Sequence, residues 1–156
     1  MRLQQFSNLP ILGAVLGAMF FPTVASCVEM QVSTTILLGK GTCSIVSVTP
    51  ATFTPALDPI SAANRTADAT ITVNCKGLGN KTGTVALQRQ NTNPLNLHNT
   101  LTPTDTIGYS LNLPGSTPVT NNTDVPITVT ATILGSAYQN AAAGIYTDSV
   151  GIEVLP

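Results

Sequence analysis

The stretch Ala67-Asp68-Ala69-Thr70-Ile71-Thr72-Val73-Asn74-Cys75 decides the fold class. Its odd positions are apolar and its even positions are polar, which is the period of an extended strand with one buried face. Turn residues follow from Lys76 to Thr82, and the alternation resumes from Gly83 to Arg89. We therefore predict a β-hairpin here, with a loop longer than the tight two-residue kind.

Further alternating segments lie on both sides of this hairpin, and they bring the predicted count in the domain proper to six strands. The other four are Thr42 to Val48, Ile107 to Leu113, Val125 to Ile133 and Ile145 to Leu155. We predict loops over the proline-rich residues 50–59 and over the Asn-, Thr- and Pro-rich residues 90–105, and no helix at the short alanine run 141–143. Short strands separated by turn signals predict an all-β sandwich.

A further alternating stretch, Val28-Glu29-Met30-Gln31-Val32-Ser33-Thr34-Thr35-Ile36-Leu37-Leu38, precedes the first of these strands. Apart from Thr34, its even positions are apolar. Segments near the amino terminus are usually loose unless something holds them. A strand at this place needs a sheet to join, either in its own domain or in a neighbouring molecule, and the sequence leaves that choice open.

The first 26 residues have the pattern of an export signal. Arg2 provides a positive start, Leu9 to Phe21 is apolar but short for a membrane span, and small residues follow. Cleavage after Ala25 or after Ser26 would leave about 130 residues, enough for one domain with a core. Without Arg2, five Lys and Arg face seven Asp and Glu. The mature chain is therefore slightly acidic, and we expect no nucleic-acid partner.

Three cysteines divide into a pair and a single residue. Cys43 and Cys75 lie in the body of the domain, and in an oxidising compartment we expect them to form a disulfide. Cys27 follows the predicted cleavage site. The stretch Val24-Ala25-Ser26-Cys27 fits the bacterial lipoprotein signal, so Cys27 is a candidate for lipidation, and the alternatives are a free thiol or a thiol lost in processing.

The chain offers little for catalysis. His98 is the only histidine, and we expect it in a surface loop; no Gly-x-Ser-x-Gly nucleophile elbow is present. Most carboxylates flank turns or outward strand positions, but Asp148 shares a face with Tyr146 and Val150, so we predict that it is hydrogen-bonded at the edge of the core. We predict that the protein is not an enzyme and uses no cofactor or metal.

Several of these segments together resemble the spore coat protein U domain, which is shared by pilins of the archaic chaperone–usher pathway. The resemblance covers about residues 39–156. It is carried by Gly41-Thr42-Cys43, by Ala69 to Cys75, by Ile107-Gly108-Tyr109-Ser110-Leu111 and, most specifically, by Ala143-Gly144-Ile145-Tyr146-Thr147-Asp148-Ser149-Val150-Gly151-Ile152-Glu153-Val154.

The resemblance implies an immunoglobulin-like sandwich that is incomplete by one strand. It divides the chain into a signal peptide (1–26), an N-terminal donor strand (27–38) and a pilin domain (39–156). A periplasmic chaperone would lend a strand to the open groove, and at an outer-membrane usher the next subunit would replace it. The implied donor residues are Val28, Met30, Val32, Thr34 and Ile36. The implied acceptor groove is lined by Tyr146, Val150, Ile152 and Val154.

Two functions therefore stand as expectations. The first is a structural subunit of a surface fimbria, exported through the periplasm, assembled with other pilus subunits by donor-strand exchange and supporting adhesion or biofilm formation. The second is an exported or lipid-anchored β-sandwich that serves as a binding or coat protein, with its leading strand folded into its own sheet.

Overall fold

The computed structural model describes residues 24–29, 35–38, 41–60 and 63–155. These residues form an all-β sandwich with one short helix, α1 (Gly135–Tyr138). The strands are β1 (Val24–Glu29), β2 (Thr35–Leu38), β3 (Gly41–Thr49), β4 (Ala51–Leu57), β5 (Arg65–Lys76), β6 (Thr82–Arg89), β7 (Asn96–Asn99), β8 (Thr106–Gly108), β9 (Ser110–Asn112), β10 (Thr117–Thr120), β11 (Asp124–Ile133), β12 (Ile145–Ser149) and β13 (Ile152–Leu155).

One layer of the sandwich is a five-stranded sheet in the order β2-β3-β5-β11-β9. Its centre is the long antiparallel pairing of β5 with β11, in which Ile71 lies opposite Ile127 and Ala69 opposite Val129. All five odd positions of the stretch from Ala67 to Cys75 are buried, as the alternation predicts. This central strand therefore supplies an unbroken apolar row to the core.

Two sheets form the opposite layer, one of five strands in the order β4-β1-β12-β7-β8 and one of three strands in the order β10-β6-β13. Only Val150 and Gly151 separate β12 from β13, so one extended run of chain serves both sheets. The chain passes from the first layer to the second at Pro50, between β3 and β4. Residues from all three sheets contribute to one buried apolar cluster.

The predicted disulfide is confirmed. Cys43 of β3 lies directly opposite Cys75 of β5, both are buried, and their sulfur atoms are bonded. The bond therefore joins neighbouring strands of the central sheet near the point where the chain enters the domain.

Two of the predicted loops contain strands. Residues 50–59 were predicted as a loop because of their prolines, but β4 occupies residues 51–57 and buries Ala51, Phe53 and Leu57. Pro55 is tolerated because β4 is at the edge of its sheet and because its register with β1 shifts near this proline. Likewise, β7 lies within the predicted loop 90–105, and there His98 occupies a short strand, with its side chain exposed.

Other predicted strands are shorter than the pattern indicated. The run from Ile107 to Leu113 is divided into β8 and β9 at Tyr109, and the closing run from Ile145 is divided into β12 and β13. The alanine run 141–143 is not helical, as expected, but α1 precedes it and was not predicted. Tyr138 of α1 is buried and donates a hydrogen bond to the carbonyl oxygen of Ala63, so tertiary contacts hold a helix that is too short to persist alone.

Candidate functional site

The amino-terminal strand β1 lies between β4 and β12 and pairs with both of them. It runs antiparallel to β4, with Ser26 opposite Phe53, and parallel to β12, with Ser26 opposite Tyr146. Because β4 and β12 each pair with β1 and not with each other, they are separated by two strand spacings, roughly 9.5 Å. We call the space between β4 and β12 the groove.

The groove has an apolar floor. Phe53 and Tyr146, which lie opposite the same position of β1, are 3% and 0% exposed. Leu57 lies opposite Val24 and Ala51 lies opposite Val28, and both of these flanking residues are also buried. Residues 24, 26 and 28, which are alternate positions of β1, therefore each lie opposite a buried residue of β4.

The four residues that the resemblance assigns to the groove wall all belong to the core. Tyr146, Val150, Ile152 and Val154 are buried. Tyr146 flanks β1 directly, whereas Ile152 and Val154 lie on β13, which pairs with β6 along one edge. Along the other edge of β13, no ladder partner occurs in the described part of the chain. The buried wall thus continues beyond the end of β1.

Local hydrogen bonds hold β12 in place beside the groove. The Tyr146 hydroxyl donates to the carbonyl oxygen of Ala142 at 2.8 Å, which fastens the start of β12 to the chain just before it. The buried side chain of Asn99, opposite Tyr146 on β7, accepts hydrogen bonds through Oδ1 from the amides of Leu101 and Thr102. These contacts fix β12 from the side away from β1.

The predicted donor residues do not lie on one strand. Val28 is in β1 and is paired with Ala51 and Asp148, whereas Ile36 is in β2 and is paired with Cys43. Met30, Val32 and Thr34 lie outside the described residues. Cys27, the candidate for lipidation, is in β1 opposite Thr52 and Thr147.

Asp148 is hydrogen-bonded at the edge of the core, as predicted. The Tyr109 hydroxyl donates to Asp148 Oδ2 at 2.7 Å, and the Ser149 amide donates to Oδ1 at 2.8 Å. Burial raises the pKa of Tyr109 well above its usual value, and the hydrogen bond to the Asp148 carboxylate and its negative charge add to this effect. The positive charge of Arg89 acts in the opposite direction and lowers the pKa of Tyr109. The phenol therefore stays protonated as a donor over the whole physiological range.

A polar cleft of about 260 Å³ opens beside this pair, on the side of the β7 strand. Arg89 lies in its wall and donates through Nη2 to Asn91 Oδ1 and to the carbonyl oxygen of Asn93. His98 also lines the cleft, and its Nδ1 donates a hydrogen bond to the Pro103 carbonyl oxygen. Polar side chains form most of the lining of this cleft.

The described residues contain no group of three or more His, Cys, Asp or Glu side chains placed to hold a metal ion. In the same part of the chain, α1 is the single helix and is far too short and too polar to span a bilayer. Comparison with models of known protein families and with curated proteins finds no match to this chain.

Sequence reasoning missed β4, which forms one wall of the groove. Ala51, Phe53 and Leu57 are apolar at odd positions, as in a strand, but Pro50, Pro55 and Pro59 in the same stretch indicate a loop. The sequence also gives no sign that a strand begins at Val24. Val24 to Glu29 reads as the end of an export signal, and the apolar pattern that would mark it as a strand is interrupted by Ser26.

Proposed function

We propose that this protein is a structural subunit of a surface fimbria, assembled by donor-strand exchange between copies of the chain or with related subunits. In this proposal the groove between β4 and β12 accepts the amino-terminal strand of a neighbouring subunit. A periplasmic chaperone protects the groove before assembly, and an outer-membrane usher directs the exchange.

One observation carries the proposal: the five-stranded sheet of the second layer, β4-β1-β12-β7-β8, is continuous only because an amino-terminal strand, β1, lies between β4 and β12. If β1 is withdrawn, β4 and β12 each present an open backbone edge above an apolar floor that includes Phe53 and Tyr146. An unpaired edge of this kind readily recruits another strand. An extended segment that enters it gains both ladder hydrogen bonds and buried apolar area.

The bond from Tyr146 to Ala142 supports the immunoglobulin-like part of the proposal. In immunoglobulin-like domains, a tyrosine near the start of the sixth strand donates its hydroxyl to backbone a few residues upstream. Tyr146 stands at the start of β12 and donates to a carbonyl four residues earlier. We therefore equate β12 with that sixth strand, and the groove with the place of the seventh.

Head-to-tail strand donation explains how such subunits would form a filament. The donor segment and the groove are different surfaces of the chain, so the contact is heterologous and does not close on itself. Each added subunit presents a new amino-terminal strand or a new groove. The low overall charge of the chain, 13 charged residues among 156, suits a surface that copies of the chain cover in large part.

The test uses two single substitutions in the amino-terminal stretch, in cells that supply a chaperone and an usher. Val32→Asp places a carboxylate on the apolar alternation, whereas Ser33→Asp places the same charge on the polar alternation and serves as the matched control. We expect Val32→Asp subunits to be bound by the chaperone but lost from fibres, and Ser33→Asp subunits to assemble normally. Normal fibres from Val32→Asp subunits would reject the proposal.

A second candidate function is an exported or lipid-anchored β-sandwich that binds a ligand or coats a surface. It is favoured by the pairing of β1 inside a single chain, which closes the groove without a partner. The polar cleft beside Arg89 and His98 would be its binding surface. The intact mass of the mature protein separates the two candidates, because a diacylglyceryl group on Cys27 would hold the amino terminus at a membrane and prevent donation.

A further inference from the structure

The predicted cleavage site for the export signal lies inside the strand that occupies the groove. β1 begins at Val24, and cleavage is expected after Ala25 or after Ser26. We propose that removal of the leader is the event that empties the groove, so that the processed chain is open where the longer chain is closed. This inference rests on the proposed function and adds to it the control of when the groove becomes available.

The register shows what cleavage would remove. Hydrolysis after Ala25 takes away Val24, opposite Leu57, and Ala25, opposite Ile145. Hydrolysis after Ser26 also takes away the position opposite both Phe53 and Tyr146, which is the centre of the apolar floor. Only residues 26–29 or 27–29 would then remain of a strand of six residues.

The remaining segment is poorly suited to hold the groove. It is a new chain terminus of three or four residues, and such ends fray because few contacts offset the entropy of ordering them. Hydrolysis adds one water across the peptide bond, which leaves a carboxylate on the leader and a new α-amine on the domain. At neutral pH that amine is largely protonated, and it would lie near the apolar floor, where burying an unpaired charge is costly.

Cleavage of the leader would therefore change the groove from closed to open, and not in the reverse direction. A chain that keeps residues 24–29 closes its own groove and has little need of a donor. A chain that has lost residues 24 and 25, or 24 to 26, exposes the edges of β4 and β12 and requires a strand from another molecule. Processing during export would therefore produce the assembly-competent form only outside the cytoplasm, where the chaperone and the other subunits are present.

The experiment compares three exported forms of the chain, each checked by intact mass. The first uses the natural signal. The second has another cleavable signal placed so that the mature protein begins at Val24. The third is the same as the second but carries Val24→Gly, Ala25→Gly and Ser26→Pro, which keep the length and remove a ladder donor. Backbone hydrogen exchange is measured in peptides from β4 and β12, with β5 and β11 as the internal standard.

In the form that begins at Val24, we expect exchange in β4 and β12 to be slower than in the natural form by about tenfold or more, the effect of one or two ladder hydrogen bonds. The substituted form should exchange like the natural one, and β5 and β11 should be equal in all three. Equal exchange in β4 and β12 of the first two forms would overturn the inference.

Fold stability and assembly give separate readouts. If the natural form unfolds without its chaperone while the form that begins at Val24 stays folded, the inference is supported, because only the second form contains the whole of β1. If the form that begins at Val24 does not fold, the inference is overturned. Fibres are scored independently: a natural form that shows the expected exchange but never forms fibres contradicts the proposed function and leaves the inference on the groove intact.

Discussion

Tyr109, at the break between β8 and β9, donates its hydroxyl to the carboxylate of Asp148 in β12 at 2.7 Å. The two residues are 39 positions apart in the chain, and both are half-buried. The bond ties the β8–β9 break to the strand that forms one wall of the groove. The alternation from Ile107 to Leu113 is divided at Tyr109, because β8 pairs with β7 in one sheet and β9 pairs with β11 in the other.

We predict that Tyr109→Phe lowers the free energy of unfolding by about 1–2 kcal/mol, since a half-buried carboxylate loses its phenol donor. Asp148→Asn and the double substitution complete a mutant cycle in urea, and a coupling energy near zero would contradict the role given to this pair.

The same pair predicts a dependence of stability on alkaline pH. The pKa of Tyr109 is raised in the folded state by burial and by Asp148, while the unfolded chain releases the phenolic proton near pH 10. The contribution to stability is therefore complete below pH 10 and is lost as the pH rises above it. In urea titrations between pH 9 and about pH 11.5, native protein should lose more stability than Tyr109→Phe; parallel losses would contradict this.

The disulfide should contribute a large part of the stability of the domain. Replacing both Cys43 and Cys75 by Ala removes a link across a sequence separation of 32. The chain-entropy relation gives a loss of roughly 3.5–4 kcal/mol. Urea unfolding of the double variant, compared with Cys27→Ala as the control for thiol removal, measures this loss. A difference under about 1 kcal/mol would mean that the relation fails here.

Gly144 allows the backbone just before β12 to lie close to the side chain of Asn99. A Cβ atom at this position would lie 2.5 Å from Asn99 Nδ2 and 2.9 Å from Asn99 Cγ, and Asn99 is buried. Gly144→Ala should therefore destabilise the domain by about 1–3 kcal/mol. Gly115→Ala is the matched control, because a Cβ there meets nothing within 4 Å. Equal stability of the two variants would show that Asn99 moves aside without cost.

Phe53 should matter for the domain and for assembly. It is buried in β4 opposite the centre of the groove, and Phe53→Ala should lower the free energy of unfolding by about 3–5 kcal/mol. Thr52→Ala, on the exposed position beside it, should have little effect on stability. In fibres, Phe53→Ala subunits should dissociate at lower denaturant than Thr52→Ala subunits. If fibres of the two variants dissociate at the same denaturant concentration, the donor strand does not pack against Phe53.

The central strands could be predicted from the sequence because their alternation is long and uninterrupted, as from Ala67 to Cys75. β4 and β7 were not predicted, because each contains residues that usually mark loops, Pro55 in one and Asn96 and Asn99 in the other. Only an edge position makes Pro55 acceptable, and only burial against other strands selects Leu97 and Asn99 as inward residues. Such information is tertiary and is not visible in a local pattern.

The residues predicted to line an acceptor groove lie in the core, but only Tyr146 flanks the space between β4 and β12. Tyr146, Val150, Ile152 and Val154 were expected to share a face, and all four are buried. The strand that lies in this space is β1, and its place is set by pairing with β4 and β12, which no local pattern shows. β1 begins three residues before the predicted donor strand, residues 27–38.

The most direct test of this account is the structure of the assembled fibre, determined by electron cryomicroscopy at a resolution that shows side chains. The account predicts that the strand between β4 and β12 belongs to the neighbouring subunit and carries residues from the stretch 28–36. A strand contributed by the same subunit, or a failure to form fibres when chaperone and usher are present, would contradict it.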